Sequence, residues 1–170
     1  MPPELHFDLE QLDFSRVVAD RKAIARINPQ RFEFQQIDGI LVVDQKNEVC
    51  VGYKDVRADE FWARGHLPGY PLMPGVLICE AAAQLCGYFM GVCDVEKGDF
   101  IGFGGMDNVR FRQPVFPGDR LVLVCKVIKF NRRQSVFNVQ GFVGPKMVFN
   151  ADIIGVPMNY PAGMKPPAET

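Results

Sequence analysis

Residues 75–92 are apolar on nearly every side of a helical wheel, and this leaves few folds open to the chain. Val76, Glu80, Gln84, Gly87 and Gly91 fall on one narrow stripe at 3.6-residue spacing, and most other positions are apolar. A helix of that kind has to be surrounded, by lipid or by protein. Pro71 and Pro74 interrupt the start of the run, Glu80 sits inside it, and Gln84 follows one turn later. A carboxylate at a bilayer centre costs ~3 kcal/mol even on a lenient insertion scale, which favours a core helix in a soluble fold. The polar pair needs partners or a function to offset its desolvation. Gly87 and Gly91 let a strand, a second subunit or a ligand approach the helix backbone closely.

The segments that could surround this helix read as strands. Residues 39–43 and 49–56 form a hairpin about the turn at 45–48, and residues 59–70 form a loop with Phe61 and Trp62 as anchors. After the helix, strands are expected over 100–106, 108–113, 121–130, 135–143 and 147–156. Turns at 117–119, 131–133 and 144–146 separate the later ones and imply antiparallel meander pairing. Residues 20–27 make a short helix ended before Pro29, and residues 31–38 a second short helix or irregular cover. Residues 1–12 are polar and read as loose. Residues 157–170 carry four prolines and read as a disordered tail. The pattern is α+β, an antiparallel β-sheet around one long central helix, with several topologies open.

At 170 residues the chain suits one domain with a core that folds without staples. The net charge of -1 gives no global attraction to nucleic acid or to an anionic membrane, so any electrostatic partner site is a local patch. Cys50, Cys79, Cys86, Cys93 and Cys125 contain no CxxC pair, their number is odd, and no secretory signal precedes them. Reduced thiols in a cytoplasmic protein fit best. Cys79, Cys86 and Cys93 recur every seven residues and read as small buried hydrophobes. A lone histidine with scattered cysteines makes no zinc pattern.

The chemistry concentrates in His66-Leu67-Pro68-Gly69-Tyr70-Pro71-Leu72-Met73-Pro74-Gly75-Val76-Leu77-Ile78-Cys79-Glu80. An imidazole and a carboxyl group suffice for proton transfer at neutral pH, and the helix start between them offers backbone N–H groups to a developing oxyanion. Taken singly, the histidine could be a loop residue bonded to backbone, and the glutamate a structural group tied to Gln84. Their spacing favours the catalytic reading.

This run, continued by Ala81-Ala82-Ala83-Gln84, resembles the signature of the 3-hydroxyacyl-[acyl carrier protein] dehydratases of fatty acid synthesis. Asp107-Asn108-Val109-Arg110-Phe111-Arg112-Gln113-Pro114-Val115-Phe116-Pro117-Gly118-Asp119 is similar to that family's second characteristic segment, and residues 31–38 are a weaker match. The resemblance covers residues 29–156. It implies a hot-dog fold over that span, behind an arm and short helix at 1–28. It also implies a homodimer whose shared site takes histidine from one subunit and the acid from the other; a trimer of such dimers stays open. Carried over, His66 and Glu80 are the catalytic pair. Gly75, with Val76, lies at the substrate thioester, and Gln84 orients Glu80. Glutamate rather than aspartate at the acidic position points to the plain dehydratase branch. Leu67, Gln30, Gln35 and Gln36 depart from the family pattern, at positions that bear on the acyl lining and substrate preference.

The implied reaction converts a (3R)-3-hydroxyacyl thioester to a trans-2-enoyl thioester. His66 is the base, Glu80 the acid and the Gly75 amide the oxyanion donor. No cofactor beyond the carrier's phosphopantetheine is needed. The implied partner is acyl carrier protein, met by a basic patch drawn from Arg110, Arg112, Arg132 and Arg133. Thioester hydrolysis on the same fold, and a non-catalytic acyl-binding subunit, are the alternatives.

Overall fold

The computed structural model describes residues 4–93 and 98–164. Seven strands form one antiparallel sheet in the order β1-β2-β3-β5-β6-β7-β4. The first, β1 (Ala19–Asp20), is a two-residue edge piece absent from the sequence reading. It leads into α1 (Arg21–Ala25), whose first turn is capped by the Asp20 carboxylate on the Ala23 N–H. Between α1 and β2, only Phe32–Phe34 is helical, as a 3-10 turn. The expected hairpin forms from β2 (Gly39–Asp44) and β3 (Val49–Asp55), with Asp44 accepting from both the backbone and the side chain of Asn47 in the turn.

The central helix, α2 (Gly75–Val92), matches its expected span, and eleven of its residues are buried. It packs on β3, β4, β5 and β7, so the sheet curls about it in a hot-dog arrangement. It is long and apolar enough to cross a membrane, yet most of it lies inside this fold. Strands β5 (Arg120–Phe130), β6 (Ser135–Val143) and β7 (Lys146–Met158) form the meander. Residues expected as two strands form one, β4 (Phe100–Phe111). Its irregularities lie next to Gly105 and at Asn108, which takes a left-handed φ of 52°. β4 pairs with β7 rather than with β5, the next strand in sequence, and its other edge pairs with no strand among the described residues.

Alternation along the strands divides the core in two. Cys50, Leu121, Leu123, Cys125, Val139 and Ala151 face the helix. Val49, Val51, Val122, Val124 and Phe142 form a second apolar cluster on the opposite face. That second cluster corrects the expectation of a loose N-terminus. Phe7, Leu9 and Leu12 pack on it, His6 Nε2 lies 2.7 Å from Asn138 Oδ1, and the Gln140 amide donates to Glu4 O at 2.7 Å. The arm is ordered because it covers an apolar sheet face. At the other end, β7 extends to Met158, and Tyr160 stacks on Phe100 at 4.7 Å, so residues 157–160 are tied to the sheet. The rest of the tail read as disordered includes 165–170, outside the described residues.

Candidate active site

The loop before α2 is fixed from below by charge. Lys54 is fully buried on β3 and its ammonium faces the Glu60 carboxylate at 2.8 Å, with both side chains almost wholly out of solvent. Of the two expected anchors, Trp62 is buried and Phe61 is exposed. Trp62 O accepts from both Gly65 N–H and His66 N–H. Leu67 and Tyr70 exchange backbone hydrogen bonds around Pro68 and Gly69. This turn needs the positive φ of 75° that Gly69 supplies.

The half-buried His66 ring is oriented by this frame, with Nδ1 lying 2.9 Å from Leu72 O. A carbonyl only accepts, so Nδ1 carries the hydrogen and Nε2 of the neutral ring is the basic nitrogen.

α2 begins immediately after Pro74, which has no side-chain cap to offer. Leu77 and Ile78 both donate back to Pro74 O, so the amides of Gly75 and Val76 open the helix without an intrahelical acceptor. They carry the positive end of the helix dipole. A Cβ at position 75 would meet Phe111 Cζ at 2.8 Å, so a larger residue there has to displace the exposed Phe111 ring. Val76 projects into solvent.

One helical turn further on, Glu80 accepts from Gln84 Nε2 at 2.7 Å. The Gln84 amide is otherwise committed. Nε2 also donates to Phe34 O at 2.6 Å, and Oε1 accepts from Gln36 N–H at 2.8 Å. Gln84 therefore clamps residues 34–36 to the helix and fixes one oxygen of Glu80. Glu80 lines a cavity of about 50 Å³ whose wall includes Gln30, Ala83, Cys86, Phe103 and Ser135. His66 is not among the described residues that line it.

Arg110, Arg112, Arg132 and Arg133 are all exposed; Arg112 donates to Asn150 Oδ1 at 2.6 Å. Cys79 and Cys86 are buried and Cys93 is partly so, and none of the five cysteines forms a disulfide. Burial pushes the Cys50 and Cys86 thiols well above their ordinary range. No group of three candidate metal ligands occurs among the described residues. Sequence reasoning missed Lys54 and Glu60, whose pairing depends on a strand–loop contact. It named Gln30 only as a departure from a pattern.

An antiparallel sheet curled round one long helix defines a hot-dog protein. Solved structures agree on the fold. The dehydratase heterocomplex ApeI:P from Xenorhabdus doucetiae superposes with a TM-score of 0.69 over 80% of this chain and 91% of that one, at 15% identity. The E. coli PaaI protein of the phenylacetic acid degradation operon gives 0.53 over 69% and 80%, at 18% identity. The FabA-like domain profile matches residues 28–152. The 3-hydroxyacyl-[acyl-carrier-protein] dehydratase FabZ of Syntrophobacter fumaroxidans is 42% identical over 128 residues, 74% of this chain and 85% of its own length. That of Moorella thermoacetica is 38% identical over 135 residues, 79% of this chain and 94% of its own. The chain belongs to the FabA-like family of 3-hydroxyacyl-acyl-carrier-protein dehydratases.

Proposed function

We propose that this protein removes water from 3-hydroxyacyl thioesters on acyl carrier protein, giving trans-2-enoyl thioesters for fatty acid synthesis. The observation that carries the reading is the His66 ring, pinned through Nδ1 with Nε2 basic, in a chain whose helix brings Glu80 into a cavity lined by both polar and apolar groups. His66 Nε2 takes the proton from the carbon next to the thioester carbonyl. The charge moves to the thioester oxygen, held by the Gly75 amide. Glu80, in its acid form, protonates the 3-hydroxyl, the C–O bond breaks, and water leaves. The imidazolium proton then returns to the carboxylate. Loss of one oxyanion donor slows such reactions ~100- to 1000-fold. No step needs a group beyond the thioester's phosphopantetheine.

The site is completed in a homodimer. The unpaired edge of β4 carries exposed Phe103 and Met106, and a strand edge of this length invites pairing with a second copy. Edge-to-edge pairing lets His66 of one protomer reach the Glu80 cavity of its partner. The carrier protein docks on the exposed Arg110, Arg112, Arg132 and Arg133, in the cytoplasm. Unchanged carrier affinity in Arg132→Ala/Arg133→Ala across a salt series would remove those two from the interface.

The test is hydration of a trans-2-enoyl thioester by wild type and by His66→Ala. The variant is expected to stay folded and lose turnover; a fully active variant would reject the reading. Release of free thiol from an acyl substrate would indicate a thioesterase instead.

A further inference from the structure

Glu80 cannot handle the 3-hydroxyl alone. A hydroxyl is one donor and two acceptors. If Glu80 donates to its oxygen, the hydroxyl hydrogen needs an acceptor of its own, or a polar group is left unpaired in an apolar slot. Gln84 is less suited to that need, because its Oε1 already accepts from Gln36 N–H and its Nε2 donates to Phe34 O and Glu80. Ser135 directs its hydroxyl toward Gly155 O at 3.5 Å, while its oxygen keeps lone pairs of its own. Four buried side-chain atoms lack a hydrogen-bond partner among the described residues: Gln30 Oε1, Gln36 Oε1, Lys54 Nζ and Trp62 Nε1. Of these residues, Gln30 alone lines the Glu80 cavity.

Gln30 is also held in place. Asn28 donates through Nδ2 to Gln84 O at 2.9 Å, which fastens the segment to the same helical turn that carries the acid. The Arg31 guanidinium closes it further by donating to Asn28 O at 2.8 Å and Gln30 O at 2.9 Å. A buried acceptor without a protein partner, on a residue whose backbone is braced and which shares the cavity lining with Glu80, is suited to reading one hydroxyl.

We propose that Gln30 is a substrate-binding residue whose Oε1 accepts the hydrogen of the substrate's 3-hydroxyl, turning that oxygen's lone pair toward Glu80. The inference rests on the dehydratase reading of this site. It makes the enzyme discriminate between hydroxyacyl and enoyl thioesters, because only the former carries the donor.

Gln30→Met keeps the length of the side chain and removes the acceptor; Gln30→Leu is the second variant, in case the first folds poorly. Steady-state kinetics are run on a 3-hydroxyacyl thioester and on its trans-2-enoyl product. A single neutral hydrogen bond predicts a fall in kcat/KM of about tenfold in both directions, as the unchanged equilibrium constant requires. The fall should appear as a raised KM for the hydroxyacyl substrate. In the hydration direction it should appear as a lowered kcat with the enoyl KM unchanged. A merely structural lesion would move the enoyl KM as well. Any other distribution of the loss, or no loss, overturns the assignment. A wild-type enzyme inert toward both substrates would instead overturn the dehydratase reading itself, which separates the two failures.

Discussion

Replacing Lys54 with methionine should be among the most destabilising single changes in this protein. The Lys54 ammonium is out of solvent, and the Glu60 carboxylate opposite it at 2.8 Å is 5% exposed. The contact is ionic rather than a well-directed hydrogen bond. Methionine fills much the same space, so little of the loss is a cavity. What remains is a buried carboxylate without its cation, an arrangement that costs ~3–5 kcal/mol. Arg57 NH2 lies 3.8 Å from the same carboxylate, but its side chain is half exposed, so it recovers only part and places the expected loss near the lower end of that range. Against a typical domain stability of about 5–15 kcal/mol the change is large. Urea unfolding at fixed protein concentration, followed by Trp62 fluorescence, reads the transition directly. Trp62 is the chain's single tryptophan and lies two residues beyond Glu60. The double variant Lys54→Met/Glu60→Leu removes both charges and should recover most of the loss. A loss below ~1 kcal/mol for Lys54→Met, the size of a solvated surface pair, would refute the reasoning.

Gly75→Ala would set a methyl 2.8 Å from Phe111 Cζ, so either the exposed Phe111 ring or the helix start has to move. Because alanine keeps the backbone N–H, enoyl hydration should fall by no more than the ~100-fold that losing an oxyanion donor costs, with the circular dichroism spectrum unchanged. Deleting residues 1–13 removes Phe7, Leu9 and Leu12 from the second apolar cluster. At ~1.5–3 kcal/mol for each fully buried side chain, less here because the three are only partly covered, the melting temperature should drop by several degrees. A melting curve superposable on that of the full chain would show the arm to be idle.

The helix was legible in the sequence because residues 75–92 are apolar all round and Pro74 bounds them. The hairpin and the meander were legible because residues such as Asn47 and Gly144 punctuate them. The place of β4 was not. Its pairing with β7 joins segments about fifty residues apart, and nothing local in residues 100–111 names that partner. The arm looked loose because Phe7, Leu9 and Leu12 sit among polar and charged residues, and the face they cover exists only once β3, β5 and β6 align. The chemical site divides in the same way. His66, Gly75 and Glu80 stand out through spacing along the chain. Gln30, Lys54 and Glu60 act through contacts the fold creates.

The central claim, a site shared between protomers, is tested most directly by mixing two dead enzymes. His66→Ala and Glu80→Gln, unfolded together in equal amounts and refolded, form heterodimers in which one of the two sites keeps both native groups. Random pairing of symmetric dimers predicts recovery of about a quarter of wild-type enoyl hydration. If the mixture stays as inactive as its parents while mass spectrometry shows the heterodimer present, histidine and glutamate do not meet across the interface.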